Sequence, residues 1–407
     1  MNIEIRACRD QEELKRYGEI VSYVFASTEG MDDELSTTQP DWTTCGFIDG
    51  EMVATMGTFP FTVRLNGSPV KMGGVTAVGT LPQHRRKGLL RKIMQQGFTE
   101  MKERQQSIAI LWASMGAIYQ RFGYGLMSSQ VSYTFDPRFA GFEGGPAPTG
   151  SVTLTPKDDG WPIIKQLYIQ YAQPRNLHIH RATALWEASV LRPRKKGEPV
   201  FIGIYRNGDG QPSGYIVYRT FEPEGHGAGF GPRQTLEVTD FVALDMDAYR
   251  GIWEYIRRHD LVGRVEMRNV VGEDDPAANL LSEPRNLDRR TSDAIWGRVV
   301  DIEAAIPQRP YGDRGELVFS IPEDHMCPWN EGSWLLETDG KTTSVRRTDR
   351  TPDLSMPINT LACLLAGHRT ATYYHRAGRL EGASDKTLLT ADRIFRTEYA
   401  PHCPNGF

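Results

Sequence analysis

Residues 75–91 read V-T-A-V-G-T-L-P-Q-H-R-R-K-G-L-L-R. An apolar strand runs from Val75 to Leu81, a basic turn passes through Arg85, Arg86, Lys87 and Gly88, and a helix pattern follows. The first N–H groups of a helix have no intrahelical partner, and together they carry about half a positive charge. Gly88 lets the backbone approach a ligand closely, and the Arg and Lys side chains add formal charge. The chemistry this favours is the binding of an anion of pyrophosphate type. The P-loop pattern G-x-x-x-x-G-K-[ST] and the dinucleotide fingerprint G-x-G-x-x-G are both absent there.

The surrounding elements are those needed to hold such a turn. Leu90, Ile93, Met94, Gly97, Phe98 and Met101 lie on one helical stripe, and Ile108 to Trp112 reads as a buried strand. Upstream, Gln11 to Phe25 has helical spacing, and Asp49-Gly50 and Asn66-Gly67 mark two tight hairpins. The Gly- and Pro-rich stretch from Ala140 to Ser151 marks a boundary. The middle segment then repeats the order hairpin, strand, helix, strand without the basic turn. The hairpin is Phe201 to Tyr205 with Tyr215 to Tyr218, followed by Leu236 to Leu244, a helix around Tyr249 to Ile256, and Arg264 to Met267. A third segment holds strands at Gly315 to Ile321, Gly332 to Thr338 and Thr343 to Arg346. Its helices are expected at Met356 to Leu365 and Leu388 to Phe395.

Composition bounds the function class. The chain has 407 residues, of which 39% are hydrophobic and 24% charged, as in an ordinary globular protein. At roughly 100–200 residues per domain, this length accommodates about two to four domains. The net charge of −4 argues against a generic nucleic-acid binder. No apolar run reaches the ~18–20 residues of a spanning helix, and residues 1–10 do not read as a secretory signal. The five cysteines are scattered without C-x-x-C spacing, which speaks against a disulfide framework or structural zinc and for a reducing cytoplasm. His178 and His180 alternate with no third ligand nearby and read as structural, so no metal is expected.

The strand followed by R-x-x-G at a helix start resembles motif A of the GCN5-related N-acetyltransferases (GNAT). Leu90 stands where that motif usually has Gly or Ala. The run H-R-R-K-G-L-L, the downstream A-S-x-x-x-I-Y-x-R-F-G-Y-G and the three-part chain resemble the Eis-type ("enhanced intracellular survival") acetyltransferases. Arg181 with Trp186, and W-G-R-V-V-D around Asp301, extend the likeness more weakly. The resemblance implies a mixed α+β chain with tandem GNAT-like modules and a sterol-carrier-protein-like third domain. The expected boundaries are 1–145, 146–297 and 298–407.

It further implies acetyl-CoA as co-substrate, direct transfer to an amine within a ternary complex, and a homo-oligomer, in this family a hexamer. Val78, Gly79 and Thr80 would meet the pantetheine arm at a strand bulge with Gly79 at the bend. Arg86, Lys87, Gly88, Leu89, Leu90 and Arg91 would hold the phosphates, with Ser114 and Met115 on the facing strand end. Tyr119 takes the role of general acid and Tyr124 packs. The carboxylate of Phe407, the last residue of the sequence, takes the role of base. Glu29, Asp32, Asp33 and Glu34, followed by Trp42, offer carboxylates and an aromatic for a cationic acceptor such as a polyamine, an aminoglycoside-like amine or lysine. Phe25 is followed by Ala26, Ser27 and Thr28 rather than the acidic residue of the aminoglycoside acetylators. The alternative is a degenerate relative that binds an acyl-CoA or lipid as a sensor.

Overall fold

A computed structural model describes residues 2–26, 38–223 and 231–407. The chain divides into two units. One comprises Met1–Ser128, Ala294–Glu398 and Phe407; the other comprises Ser129–Asp293 and Tyr399–Gly406.

The first unit opens with β1 (Ile3–Arg6), α1 (Gln11–Phe25), β2 (Cys45–Ile48), β3 (Glu51–Leu65) and β4 (Ser68–Thr80). It continues with α2 (Leu89–Glu103), β5 (Ile108–Trp112), the short α3 (Gly116–Gln120) and β6 (Gly125–Leu126). Asp10 starts α1 by accepting from the Glu12 and Glu13 N–H groups. Asp49-Gly50 and Asn66-Gly67 all have positive φ, the conformation that joins β2 to β3 and β3 to β4 in tight turns. α1 packs Leu14, Tyr17, Ile20 and Val21 with Cys45, Phe47 and Met52. α2 packs Ile93, Met94, Phe98 and Met101 with Val53, Met56, Ala109 and Leu111 in a separate core. All five cysteines are free and buried, and the sulfurs of Cys8 and Cys45 lie 3.8 Å apart.

The second unit holds β7 (Ser129–Phe135), β8 (Ser151–Thr155), α4 (Lys157–Ala172), β9 (Phe201–Arg206), β10 (Pro212–Phe221), β11 (Gln234–Ala243), α5 (Met246–Arg257), β12 (Val262–Val271) and β13 (Asp288–Asp293). Its sheet runs β13-β7-β12-β11-β10-β9-β8. α5 packs Ile252, Trp253 and Ile256 with Tyr205, Ile216 and Leu236. α4 packs Ile164, Leu167 and Tyr168 with Ile204, Tyr215 and Val217.

β14 (Ile295–Val299) returns to the first sheet, which reads β1-β2-β3-β4-β5-β14-β6. α6 (Ile302–Gln308), β15 (Arg314–Ile321), β16 (Gly332–Asp339), β17 (Thr343–Arg347), β18 (Leu354–Ser355), α7 (Ile358–Ala366), α8 (Ala371–Arg376) and α9 (Asp385–Phe395) complete the chain around a four-stranded sheet, β17-β16-β15-β18. Sheet membership does not follow the boundaries expected at 145 and 297. β7 precedes the Gly/Pro stretch yet pairs with β12, and β14 pairs with β5. Alternating hydrophobicity announces a strand but not the sheet it joins. No helix of the described residues is long and apolar enough to cross a membrane.

Residues 399–406 are held in the second unit by buried polar contacts. His402 bonds the Asn269 carbonyl at 3.1 Å, and its ring lies 5.5 Å from that of His178. Burial pushes His402 down to about 4 and His178 well below the usual histidine range. A histidine depressed in the folded state stabilises fully above its unfolded pKa, near ~6.5, and loses that contribution as pH falls through its folded value. The melting temperature is therefore expected to fall between pH ~6.5 and 4. A shift from the ordinary value to about 4 corresponds to a loss on the order of 3 kcal/mol. His402→Gln should flatten that acid limb, measured by calorimetry across pH. An unchanged limb would mean that His402 is not held neutral.

Candidate active site

β4 and β5 are parallel, yet they pair only at Met72↔Ile108, Gly73↔Ala109 and Gly74↔Ile110. Beyond Gly74, β4 continues to Thr80 against β3 alone. The register slips between Thr55 and Gly57, and Ala77 adopts a left-handed φ of 50° with its carbonyl bonded by the Thr55 hydroxyl at 2.9 Å. The bend thus falls at Ala77, two residues before the glycine expected to make it. Gly79 lies opposite Thr55, and a Cβ there would stand 3.3 Å from Val24 of α1, so its role is close packing. The Leu81 N–H bonds the Val53 carbonyl at 3.0 Å. In antiparallel alternation this turns the N–H groups of Val78 and Thr80 away from β3, toward the side that β5 has left.

The basic turn follows directly. Arg85 ties back to the Thr80 carbonyl at 3.0 Å. Arg86 and Gly88 have φ of 62° and 77°, and Gly88 is the residue before α2. Among the described residues no side chain caps this helix start, and its first turn contains no acid. A Cβ on Gly88 would meet no atom of the described residues within 4 Å. Arg86, Lys87, Gly88 and Arg91 are exposed, Leu90 is half-buried, and Leu89 anchors the turn in the core. Uncapped N–H groups beside cationic side chains in open space suit a diphosphate.

On the facing side, β5 ends at Trp112, and Ser114 and Met115 are exposed before α3. Tyr119 on α3 is 6% exposed. Burial raises its pKa, partly offset by its hydrogen bond with Ser114. Tyr124 packs edge-on against Tyr119 at 5.8 Å and is fully buried, and its hydroxyl has no hydrogen-bond partner among the described residues. Of the two tyrosines, Tyr119 therefore stands nearer the surface, and its hydroxyl is partnered from the strand end.

Sequence reasoning missed what fixes α3. Arg298 of β14, completely buried, donates from one guanidinium nitrogen to both Asp324 oxygens at 2.6 and 2.7 Å, and from the other to the Phe122 carbonyl. The Phe122 N–H in turn bonds the Tyr119 carbonyl at 2.9 Å. The available signal was a charge inside an otherwise apolar strand, I-W-G-R-V-V.

Phe407 lies at the fork where β4 leaves β5. Its ring packs on Phe61 at 5.1 Å, and a Cβ added to Gly74 would come within 3.3 Å of it. Phe61, Phe59 and Trp42 continue as a row of half-buried rings at 5.7 and 5.8 Å spacing. The acidic run Glu29, Asp32, Asp33 and Glu34 lies outside the described residues. His180 is exposed, and no group of three metal-ligating side chains occurs among the described residues.

The forked parallel strand pair leads to a glycine-preceded helix start suited to an anion, and the chain is similar to acetyltransferases of the GNAT class. The Acetyltransferase (GNAT) domain matches residues 4–127 and again 177–299, and the Sterol carrier protein domain matches residues 302–404. An uncharacterized N-acetyltransferase of Streptomyces avermitilis is 30% identical over 371 residues, covering 89% of this chain and 88% of the relative. N-acetyltransferase Eis of Mycobacterium tuberculosis is 26% identical over 336 residues, covering 80% and 78%. Among solved structures, Eis1 of Mycobacterium abscessus superposes over 100% of both chains with a TM-score of 0.86 at 25% identity. A GCN5-related N-acetyltransferase of Anabaena variabilis matches the fold at a TM-score of 0.88 and 21% identity over 100% of both chains. The chain belongs to the Eis-type GCN5-related N-acetyltransferases. It is an acetyl-CoA-dependent N-acetyltransferase.

Two glycines separate support from binding. Gly123 has φ of 83°, and a Cβ would sit 2.1 Å from the Arg298 guanidinium. Gly88 also has positive φ but open space. Gly123→Ala is expected to destabilise by about 3 kcal/mol or more, because it strains the backbone and disturbs a buried ion pair. Gly88→Ala should cost about 1–2 kcal/mol. Urea unfolding measures both; equal losses would contradict the assignment.

Proposed function

We propose that the first unit transfers the acetyl group of acetyl-CoA directly to a primary amine of a cationic acceptor. Tyr119 acts as general acid and the Phe407 carboxylate as the group that receives the amine proton. The observation that carries this reading is the fork at Gly74. One strand there turns the N–H groups of Val78 and Thr80 outward, and Phe407 packs over its origin. In this reading the turn from Arg86 to Arg91 binds the diphosphate. The outward N–H groups align the thioester and polarise its carbonyl, as preorganised donors do where charge develops. Ser114 and Met115 border the opposite side.

The amine attacks the thioester carbon, a C–N bond forms, and the C–S bond breaks. The departing thiolate takes a proton from Tyr119, which burial keeps protonated at neutral pH. The attacking ammonium must lose a proton first. An unperturbed chain-terminal carboxylate, with pKa of roughly 3.3–3.7, is a weak base, so its main contribution is to hold the cation and pass its proton to water. Trp42, Phe59, Phe61 and Phe407 form a row of packed aromatic rings beside the fork, a residue type that attracts a cationic amine. The acceptor classes considered are polyamines, aminoglycoside-like amines and lysine side chains. The homo-oligomer is carried in this reading on family likeness, and the cytoplasmic setting on the scattered cysteines.

The test is thiol release from acetyl-CoA with a panel of these amines. Tyr119→Phe should lower kcat by about 100-fold or more with the KM for acetyl-CoA unchanged. Any alkaline limb of the wild-type rate should lie above the ordinary tyrosine range, because burial raises Tyr119. Deleting Phe407 should lower kcat on every acceptor. A Tyr119→Phe enzyme with wild-type kcat on its best acceptor would remove the general-acid assignment.

A further inference from the structure

The second unit repeats the fork. β11 and β12 are parallel and pair from Gln234↔Val262 to Val238↔Met267. Past that point β11 follows β10 as far as Ala243, and β12 follows β7 as far as Val271. The helix after β11, however, begins differently from α2. Asp245 caps α5 by accepting from the Ala248 N–H, and Asp247 lies in the first turn. Two carboxylates at a helix start repel a phosphate. The parted strand ends instead line a cavity of about 320 Å³, every wall of which belongs to this unit. At ~30 Å³ per water-sized group, it holds about ten such groups.

The charge of its walls is predominantly negative. Asp245, Asp274 and Asp275 line it against a single arginine, Arg175. That guanidinium is already covered, 3.4 Å from the Tyr171 ring and 4.5 Å from that of Tyr399, and it donates to the Tyr171 carbonyl at 2.7 Å. Asp275 accepts from the Tyr133 and Tyr249 hydroxyls, each at 2.9 Å. Asp245 and Asp274 are exposed, and each accepts one backbone N–H, from Ala248 and from Ala400. A carboxylate has about four acceptor positions, so both keep capacity for a further donor. Phe241 and Tyr249, edge-on at 5.5 Å, add an aromatic wall.

A buried histidine in the same wall points to the kind of ligand. His178 is 2% exposed. Its Nδ1 lies 3.4 Å from the Asn176 carbonyl, which can only accept, so Nδ1 carries the ring proton. Nε2 is then a bare acceptor, and it has no hydrogen-bond partner among the described residues. A buried acceptor left unpaired is costly. What relieves it must donate a proton, as an ammonium group does and a carboxylate or phosphate does not.

We propose that this cavity binds a small organic ammonium ion, a primary amine on a short apolar arm. The amine donates to the His178 ring, the acidic rim balances its charge, and the aromatic wall packs against the arm. Because the capped, acidic start of α5 offers no place for a diphosphate, the amine is held here as a ligand and is not acetylated.

The test is titration calorimetry of the full chain, without acetyl-CoA, using phenethylamine, phenethyl alcohol and hydrocinnamate as probes. Hydrogen exchange read by peptide locates the binding. Phenethylamine should bind saturably and slow exchange in residues 241–249 and 271–276. The neutral alcohol should bind at least about tenfold more weakly, and the carboxylate should not bind. His178→Phe keeps a buried ring but removes the acceptor, and should weaken amine binding by about tenfold or more. Asp274→Asn changes an exposed side chain, tests the charge without disturbing the core, and should weaken it by about threefold. No saturable uptake, meaning a cavity that holds water only, overturns the proposal. So does equal affinity for the alcohol, preference for the carboxylate, exchange slowed only in the first unit, or binding indifferent to both substitutions.

Discussion

The site depends on a ladder that is broken off early. β4 and β5 share three paired positions and then part, although β4 has six more residues to run. Backbone donors separated in this way need another partner, because an unpaired buried N–H is costly. The protein fixes the separation rather than leaving it to drift. Ala77 is bent into left-handed φ and tied by Thr55, Gly79 lets α1 close on the strand, and Arg85 anchors the turn beyond Thr80. The outcome is a short row of outward amide hydrogens that ends at an uncapped helix. Such an array suits a ligand with an amide-bearing arm and a diphosphate.

The second sheet shows that the fork alone does not define an acetyl-CoA site. Both sheets part a parallel pair, and both follow the inner strand with an amphipathic helix. The difference lies in one residue class at the helix start. Gly88 leaves α2 open, with Arg86, Lys87 and Arg91 around it, whereas Asp245 closes α5 with a carboxylate. The two helix starts therefore differ electrostatically, one suited to an anion and the other repelling it, on the same topology.

Much of this was legible in the sequence. Gln11–Phe25 has its stripe and its Asp10 cap in plain view, and the Asp-Gly and Asn-Gly pairs fixed both hairpins. The basic turn and its glycine were readable because helix starts have a chemistry that residue types disclose. Tertiary choices were not. That residues 129–135 and 295–299 form strands, and that these join different sheets, follows from partners distant in sequence. The bend went to Ala77 because the Thr55 hydroxyl compensates there, a contact across 22 positions that no local pattern records. Arg298 and Asp324 lie 26 residues apart and meet only in the folded chain. The scattered Cys8 and Cys45 likewise come into contact only through strand pairing.

The central claim is that one of the two forks, the one opened by Gly88, binds coenzyme A. Titration calorimetry of the intact protein with coenzyme A reads this directly. The account predicts one site per chain, weakened by salt and by at least about tenfold in an Arg86→Gln, Lys87→Gln double variant, since charge-assisted contacts to phosphate are lost. Two sites per chain, or uptake indifferent to both charges, would contradict it.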